Sequence, residues 1–538
     1  MIKVKAFKWL PLLTLSGAAL AETGAPVVEA NMMPSQPVQA APVLASAEPA
    51  AQAANNGTIV DNVLPLLSLE AQRARDAAAE RARLLEEERS QKLAQAESQV
   101  RQEVGESSLL LARDVAKLYL DNDFGLMWQD QKAQRTFIRE YAVFAASGVS
   151  KSADKALQNI LSKPQGELAR DILLTDALLD FLYYQGNVAK QANNWLYQLG
   201  SYRTRSPNEA QQQRWLSAVK NGSTAQFISN LVPRNHIYQE TVQRLMSMSP
   251  NGTASNQNTA ETGKKGTKGK KSNKASGTNS ATFAKLALNA QRLRIIPSFD
   301  NGIFVNIPSY QLYYFRDGKL ALQSKVIVGK DERRTPVMYS KLSNVVVNPP
   351  WTIPPTILSK DFIPRMAKDP GYAERRGFEI FDSKGNKVNP RSVNWASYVN
   401  SKSFPYRIRQ KAGDDSALGR YKFNMPSSDA IFLHDTPNRG LFSKTDRALS
   451  SGCVRVAKAD ELATILLKEA GWSEGRKRNV LDSKKTTSAQ IRSDNPVYLY
   501  YVTAWVENGK VHTLPDIYKF DSQIKRTNIN WAAVKNNI

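Results

Sequence analysis

The residues best suited to chemistry lie in one run, IFLHDTPNRGLFSKTDRALSSGCVRV, at positions 431–456. It contains Cys453, the single cysteine of the 538 residues, and His434, one of three histidines, nineteen positions earlier. An imidazole that takes a thiol proton creates a nucleophile that attacks carbonyl carbon and forms an acyl-enzyme. We therefore predict Cys453 as the nucleophile and His434 as the general base, and we expect the thiol pKa to be depressed.

The residues in front of the cysteine favour the same chemistry. Ser451 and Gly452 are small and allow a tight turn before Cys453. Such a turn can direct backbone N–H groups at the oxyanion that forms during attack. We predict that the Gly452 backbone is one of these donors and that Ser451 contacts the substrate.

Two charged residues near the pair have less certain roles from sequence alone. Arg455 lies two positions beyond Cys453, so on an extended segment both side chains share a face. It can hold a substrate carboxylate, brace the active-site loop or pair with a local acid. Asp435 is next to His434 and points to the other face of a strand, so a backbone carbonyl on the neighbouring turn is the better prediction for the group that fixes the imidazole tautomer.

Strand patterns dominate the part of the chain that must position these residues. GIFVNIP and QLYYFRDGKLALQSKVIVG alternate around an Asp317-Gly318 hairpin signal, GRYKFNM and AIFLHDT follow, and SGCVRV leads into the helix AKADELATILLKEAG. We predict an α+β multidomain chain in which a mostly-β catalytic sandwich spans 283–525. An insertion at 352–418 has mixed helix and loop signals and is predicted to cap the site.

Helical periodicity precedes this region. Residues 67–104 are rich in Ala, Glu, Arg and Gln with many i,i+4 charge pairs, which predicts a long exposed helix. Residues 105–250 show apolar spacings of three and four and are predicted to form a helical scaffold domain. A Lys/Gly/Ser-rich linker at 251–282 then separates this domain from the catalytic one.

The two ends are predicted to lie outside the folded part. Three lysines, the apolar run 9–20 and an Ala-x-Ala site form an export signal at 1–21, and an apolar run this short falls below the about 20 residues of a spanning helix. An Ala/Pro-rich disordered tether follows at 22–66, and 526–538 is predicted as a tail.

Charge and composition limit the partners. The chain has 73 Lys+Arg and 49 Asp+Glu, a formal net charge of +24. In an exported protein this favours a polyanionic cell-wall polymer or lipid surface, and no nucleic-acid-binding module is recognisable. One cysteine and scattered histidines have no metal-ligand spacing, so neither a metal nor another cofactor is predicted.

His434 and the SSGCVR run resemble the signature of L,D-transpeptidases, the bacterial cell-wall enzymes with a YkuD-like catalytic domain, and the wider context resembles the YcbB-type members of Gram-negative bacteria. The matching segments are NAQRLRIIPSFDNGIFVNIPSYQLYYFRDGKLALQSKVIVGK, TPVMYSKLSNVVVNPPWTIPP, RQKAGDDSALGRYKFNMPSSDAIFLHDTP and RALSSGCVRV. Members of this type usually carry a peptidoglycan-binding module in the helical part, where this chain has its Lys-rich linker.

This resemblance implies a periplasmic enzyme that acts on peptidoglycan stem peptides. The cysteine would cleave the diaminopimelate–D-alanine bond of a tetrapeptide donor, and a second diaminopimelate amine would complete a 3-3 cross-link. It implies carbapenem inhibition and partnership with cell-wall synthases and carboxypeptidases. Trp351, Tyr406 and Tyr421 are then candidate walls of the donor cleft.

Three alternatives remain open from the sequence. The same fold and donor chemistry serve L,D-carboxypeptidases and lipoprotein-attaching transpeptidases, because the motif does not identify the acceptor. A non-catalytic wall-binding protein would have an inert Cys453. An endopeptidase of the NlpC/P60 type does not fit, because in that type the cysteine precedes the histidine.

Overall fold

The computed structural model of the chain describes residues 60–248, 272–401, 403–525 and 527–538. The chain divides into two compact units, 1–80 and 81–538, and the second contains every element discussed below except the start of the first helix. The predicted signal and most of the predicted tether lie outside the described residues. Among the described residues, no helix is long and apolar enough to span a membrane.

Nine helices are described before the first strand. They are α1 (Val60–Val104), α2 (Ala112–Leu120), α3 (Gln131–Ala146), α4 (Ala153–Ser162), α5 (Leu168–Trp195), α6 (Glu209–Lys220), α7 (Thr224–Ser229), α8 (His236–Ser247) and α9 (Ser272–Arg294).

Local sequence explains where several of these helices begin. The Asp130 carboxylate accepts the backbone N–H groups of Lys132 and Ala133 at the start of α3, and Asn208 and Gln211 form a capping box on α6. Helix α5 is buried along most of its length, which makes it the centre of the helical layer.

Two predicted boundaries in this region are wrong. Helix α1 begins at Val60, so 60–66, assigned to the tether, are helical. Helix α9 begins at Ser272, so the predicted linker ends before 282, and residues 249–271 lie outside the described part of the chain. Helix signals are weak at both places because Gly, Ser and Asn have poor helix propensity in α9 and Pro65 interrupts the pattern in α1.

The strands lie between residues 302 and 513. They are β1 (Gly302–Asn306), β2 (Gln311–Arg316), β3 (Lys319–Gly329), β4 (Met338–Lys341), β5 (Asn344–Val347), β6 (Trp351–Thr352), β7 (Phe378–Phe381), β8 (Lys387–Val388), β9 (Arg407–Gln410), β10 (Tyr421–Asn424), β11 (Leu433–His434), β12 (Ala448–Ser450), β13 (Val454–Val456), β14 (Thr487–Gln490), β15 (Pro496–Tyr500), β16 (Ala504–Glu507) and β17 (Lys510–Thr513). The remaining helices are α10 (Pro355–Ile357), α11 (Ile363–Lys368), α12 (Tyr372–Arg375), α13 (Ala459–Glu469), α14 (Glu474–Asp482) and α15 (Trp531–Lys535).

Eleven strands form the main sheet, hydrogen-bonded in the order β14-β5-β10-β11-β13-β3-β2-β1-β15-β4, with β12 paired to β3 off this path. The long strand β3 joins the two halves, because it pairs with β2 over 319–325 and with β13 at Val326 and Ile327. Helix α13 is hydrogen-bonded to both halves, through Tyr421 of β10 and Tyr314 of β2. The predicted fold class, a helical scaffold followed by a β-rich domain with an insertion, is confirmed.

The insertion, the capping subdomain at 352–418, is built differently from the helical and loop prediction. Its centre is a four-stranded sheet in the order β6-β9-β7-β8. Phe362, Ile380, Trp395 and Ile408 belong to a hydrophobic cluster separate from the main core. Strands of two to four residues are too short for sequence alternation to reveal.

The predicted tail at 526–538 is instead part of the core. Trp531 of α15 is buried, its indole N–H donates to the Leu245 carbonyl at 3.0 Å, and its ring lies 4.8 Å from that of Phe283. One hydrophobic cluster runs from Ala96 in α1 to Val534. The predicted scaffold and catalytic domains therefore share one core within the unit 81–538.

A buried ion pair joins α3 to α9 inside this core. Arg294 donates to Glu140 at 2.6 Å with both side chains almost fully buried, and Tyr238 of α8 also binds Glu140. Because α9 leads directly into β1, the pair connects the helical layer to the β-rich part.

We expect Glu140→Ala to lower the free energy of unfolding by about 3–5 kcal/mol, because it leaves the Arg294 charge buried without its partner. Urea denaturation followed by circular dichroism measures the change. Glu88→Ala, which removes an exposed pair with Lys92, is the control and should leave the midpoint unchanged. An unchanged midpoint for Glu140→Ala would contradict this role.

Candidate active site

Three neighbouring strands place the predicted residues on one sheet face. In the antiparallel pair β10–β11, Lys422 lies opposite His434, and in the parallel pair β11–β13, His434 lies opposite Arg455. Directly paired residues point to the same side of a sheet, so these three side chains form one row. Phe432 and Cys453 each precede a member of this row by two residues, and because side chains alternate along a strand, both lie on the same face as the row. The pairing continues to these positions, since the Val454 N–H donates to the Phe432 carbonyl at 3.1 Å.

The opposite face of the same strands fixes this row. Phe423, Leu433, Val454 and Val456 alternate with the active-site residues and are fully buried in the main core. A slip of one residue in any strand would move these apolar side chains to the wrong face. The core therefore determines which side chains surround Cys453.

The turn before the cysteine is held by hydrogen bonds. The Ser450 hydroxyl donates to the Cys453 carbonyl at 2.6 Å and accepts the Gly452 N–H at 3.1 Å, and the Thr335 hydroxyl donates to the Gly452 carbonyl at 2.7 Å. Gly452 has a φ of +120°, and a Cβ there would lie 3.1 Å from Ile431. Only glycine adopts this conformation readily.

This geometry changes the predicted oxyanion donor. The Gly452 N–H is already donated to Ser450, so it is not free for a substrate oxygen. Within the described residues, the Cys453 N–H has no backbone or side-chain acceptor. The cysteine's own N–H is therefore the better candidate.

Cys453 is partly exposed, and its Sγ lies 3.9 Å from the Ala430 carbonyl oxygen. Burial raises the thiol pKa, while the Phe432 backbone N–H and the cations of Lys422 and Arg455 oppose the rise. The expectation of a depressed pKa is therefore wrong for the protein without substrate, because desolvation of the thiolate outweighs the cations. The resting sulfur carries its proton.

His434 is 5% exposed, and its Nδ1 lies 2.5 Å from the Asp435 carbonyl oxygen. A carbonyl only accepts, so Nδ1 carries the proton and Nε2 has a free lone pair. Burial and then the Arg455 and Lys422 charges lower the pKa of the imidazole to about 3, although the hydrogen bond acts the other way. The ring is therefore neutral and has the tautomer of a general base.

The Asp435 carboxylate does not orient the ring. It accepts from the Arg439 guanidinium at 2.7 Å and from the Arg420 backbone N–H at 2.9 Å. The prediction of a backbone carbonyl in this role is confirmed, but the carbonyl belongs to Asp435 itself, the residue directly after His434, rather than to a neighbouring turn.

Two cations on the active-site face have no anionic partner among the residues that the structure describes. Within the described residues, no carboxylate lies within ion-pair distance of Arg455, and its buried Nε donates no hydrogen bond. Lys422 likewise has no carboxylate there, and its Nζ lies 4.2 Å from the centre of the Phe432 ring. The local acid pair considered for Arg455 is therefore not formed.

Lys422 was missed by the sequence reasoning, which selected its neighbour Tyr421. Tyr421 is 1% exposed, faces the core and donates to Asp460 at 2.5 Å, so its prediction as a cleft wall is wrong. The alternation of the run YKFN could have identified Lys422. Its Tyr and Phe side chains point to the buried face of β10, and Lys422 points to the other face, which it shares with His434.

The other predicted contacts lie at the capping subdomain. Trp351 is 6.3 Å from Phe378 and Tyr406 is 5.4 Å from Phe404, ring centre to ring centre, so both pack on the subdomain's own cluster while remaining partly exposed. Their contact with substrate stays a prediction.

Ser451 connects this subdomain to the catalytic turn. Its hydroxyl accepts from Arg333 at 3.0 Å, and the same guanidinium forms an ion pair with Asp361 of the subdomain. Ser451 therefore has a positioning contact, and its predicted contact with substrate stays a prediction. Among the residues that the structure describes, no group of His, Cys, Asp and Glu side chains could hold a metal ion.

Comparison with known proteins identifies the family of the chain. A sequence profile of the L,D-transpeptidase catalytic domain matches residues 300–487, and a profile of a scaffold domain matches 113–245. A putative L,D-transpeptidase of Haemophilus influenzae is 54% identical over 434 residues, which cover 80% of this chain and 83% of that protein.

Two solved structures also match part of the chain. The Ldtfm–avibactam carbamoyl enzyme has 12% identity and a TM-score of 0.18, covering 37% of this chain and 49% of that one. The catalytic domain of the E. faecium L,D-transpeptidase acylated by ertapenem has 13% identity and a TM-score of 0.19, covering 37% of this chain and 97% of that one. The profile matches and the Haemophilus relative establish that the chain belongs to the L,D-transpeptidase family, with a YkuD catalytic domain and a scaffold domain.

Proposed function

We propose that this protein is a peptidoglycan L,D-transpeptidase that forms 3-3 cross-links through a cysteine acyl-enzyme. The observation that carries the proposal is a neutral His434 with a free Nε2 on the same sheet face as a partly exposed Cys453. Family membership supports the reaction class, and the export signal predicted at 1–21 supports a periplasmic location.

In the first step, Nε2 of His434 takes the thiol proton as Sγ attacks the carbonyl carbon of the donor's third residue, diaminopimelate. The S–C bond forms, and the negative charge moves to the carbonyl oxygen, for which the Cys453 N–H is the proposed donor. When the C–N bond breaks, the imidazolium returns the proton to the departing amine, and D-alanine leaves. The thioester preserves the energy of the peptide bond, so no nucleotide is needed.

In the second step, the side-chain amine of another stem's diaminopimelate attacks the thioester. The amine loses a proton to Nε2, the new amide forms, and the sulfur leaves and is reprotonated by the imidazolium. Water in place of the amine gives a tripeptide, which is carboxypeptidase activity. The partly exposed sulfur supports access of an acceptor amine to the thioester.

The proposal includes partners of the cell wall. The net charge of +24 favours association with an anionic wall polymer or membrane surface. Cell-wall synthases and carboxypeptidases that supply tetrapeptide stems are the expected protein partners, and carbapenems are the expected covalent inhibitors.

Incubation of the purified protein with disaccharide-tetrapeptide, followed by mass spectrometry, tests the function. We expect a dimer joined through two diaminopimelate residues, with release of one D-alanine per bond. Tripeptide monomer alone would replace the proposal with carboxypeptidase activity. No change with a folded protein would exclude both transpeptidation between stems and carboxypeptidase activity.

Carbapenem acylation tests the nucleophile and base. Intact-mass spectrometry should show the full mass of one carbapenem added to the wild-type chain and none added to Cys453→Ala. His434→Ala should acylate about 10²–10⁴-fold more slowly, because general-base assistance is lost. Melting curves of both variants serve as folding controls, and an adduct on Cys453→Ala would contradict the assignment.

The state of the thiol is tested by alkylation with iodoacetamide across pH. Because burial raises the Cys453 pKa, the thiolate fraction at pH 7 is below that of free cysteine, whose pKa is about 8.5. We expect slower alkylation than free cysteine at pH 7, with a rate that rises with pH beyond the ordinary midpoint. A plateau below pH 7 would instead indicate a preformed thiolate–imidazolium pair.

A further inference from the structure

The active-site face carries two positive charges that the described chain leaves uncompensated. Lys422 and Arg455 have no carboxylate within ion-pair distance there, and Asp435 is engaged by Arg439. Charged groups that are partly withdrawn from water are normally paired, because desolvation costs free energy. An anion delivered by a ligand would supply the missing partner.

The two cations lie on either side of His434, and Arg455 is on the strand that follows Cys453. Lys422, His434 and Arg455 occupy one row on the adjacent strands β10, β11 and β13. The Lys422 ammonium leaves this row and lies over the Phe432 ring at 4.2 Å, in the row that also contains Cys453. The Lys422 charge acts on the sulfur, because it opposes the rise of the Cys453 pKa that burial causes.

The spacing suits a donor with one residue beyond the scissile bond. Three bonds separate the scissile carbonyl carbon from the carboxyl carbon of that residue, a distance of about 4 Å. A carboxylate at this position therefore lies within about one strand spacing of the attacked carbon. One more residue would move the carboxylate about 3.8 Å further and leave a neutral peptide group beside the cations.

We propose that Lys422, acting with Arg455, binds the terminal carboxylate of the donor's leaving residue and so makes the site selective for donors that end one residue beyond the scissile bond. This inference rests on the proposed function. Lys422 is then a specificity residue of the reaction, on the strand next to the general base.

Binding of that carboxylate also assists the chemical step. When His434 accepts the thiol proton, its new positive charge is repelled by Lys422 and Arg455, which hold its pKa low in the protein without substrate. A carboxylate between the two cations offsets this repulsion. The donor's charge therefore contributes to kcat as well as to KM.

The test compares two donors that differ in one group: disaccharide-tetrapeptide with a free terminal carboxylate, and the same molecule with a terminal carboxamide. Lys422→Met should lower kcat/KM for the carboxylate donor about tenfold or more, the range of a lost charge-assisted hydrogen bond, and for the carboxamide donor less than about threefold. Lys422→Arg should keep most of the preference. Lys319→Met, at an exposed strand lysine of β3, is the control and should change neither donor.

Equal losses on both donors, or an unchanged preference in Lys422→Met, would overturn the inference.

A second measurement does not depend on transpeptidation: the rates at which iodoacetate and neutral iodoacetamide alkylate Cys453. The iodoacetate-to-iodoacetamide ratio should fall about fivefold or more in Lys422→Met, because the variant no longer attracts the reagent's carboxylate. An unchanged ratio would overturn carboxylate binding by Lys422. A reduced ratio in a protein that consumes neither donor would instead overturn the proposed function.

Discussion

The parallel pairing of β11 with β13 is the constraint on which the site depends. It sets His434 opposite Arg455 and brings Cys453 to the same sheet face one row earlier. The pairing is itself fixed by Leu433, Val454 and Val456, whose burial on the opposite face would be lost by any slip in register. Catalytic geometry is therefore a consequence of core packing, and the scaffold contributes because its helices share that core.

Electrostatics then determine the resting state. Burial acts on the two partners in opposite directions: it raises the pKa of the thiol and lowers that of the imidazole, so the proton stays on sulfur. The hydrogen bond from Nδ1 to the Asp435 carbonyl leaves Nε2 as the acceptor. A neutral pair protects the only cysteine from premature oxidation, because oxidation depends on thiolate character. The contact of Arg333 with both Ser451 and Asp361 joins the capping subdomain to the same turn.

Sequence reasoning succeeded for the fold class and for the kind of group that orients the imidazole, a backbone carbonyl, because both follow from residue type and strand alternation. The catalytic roles of Cys453 and His434 stay predictions. Sequence reasoning failed where the answer depends on three-dimensional pairing. The Gly452 N–H donates to the Ser450 hydroxyl instead of being free for substrate, and burial raises the pKa of the thiol. On β10, Lys422 and not Tyr421 points to the face of the sheet that carries His434. The C-terminal residues read as a tail because their apolar partners, Phe283 and Leu245, are distant in the chain.

The protonation state of His434 before substrate binds is the central claim and can be measured directly. The chain has three histidines, so selective ¹⁵N-histidine labelling gives few signals, and His434→Gln identifies the one from the site. Between pH 5 and pH 8 the account predicts ring ¹⁵N shifts of a neutral imidazole that is protonated at Nδ1 and does not titrate. A ring that is protonated at pH 7, or that carries its proton on Nε2, would contradict it.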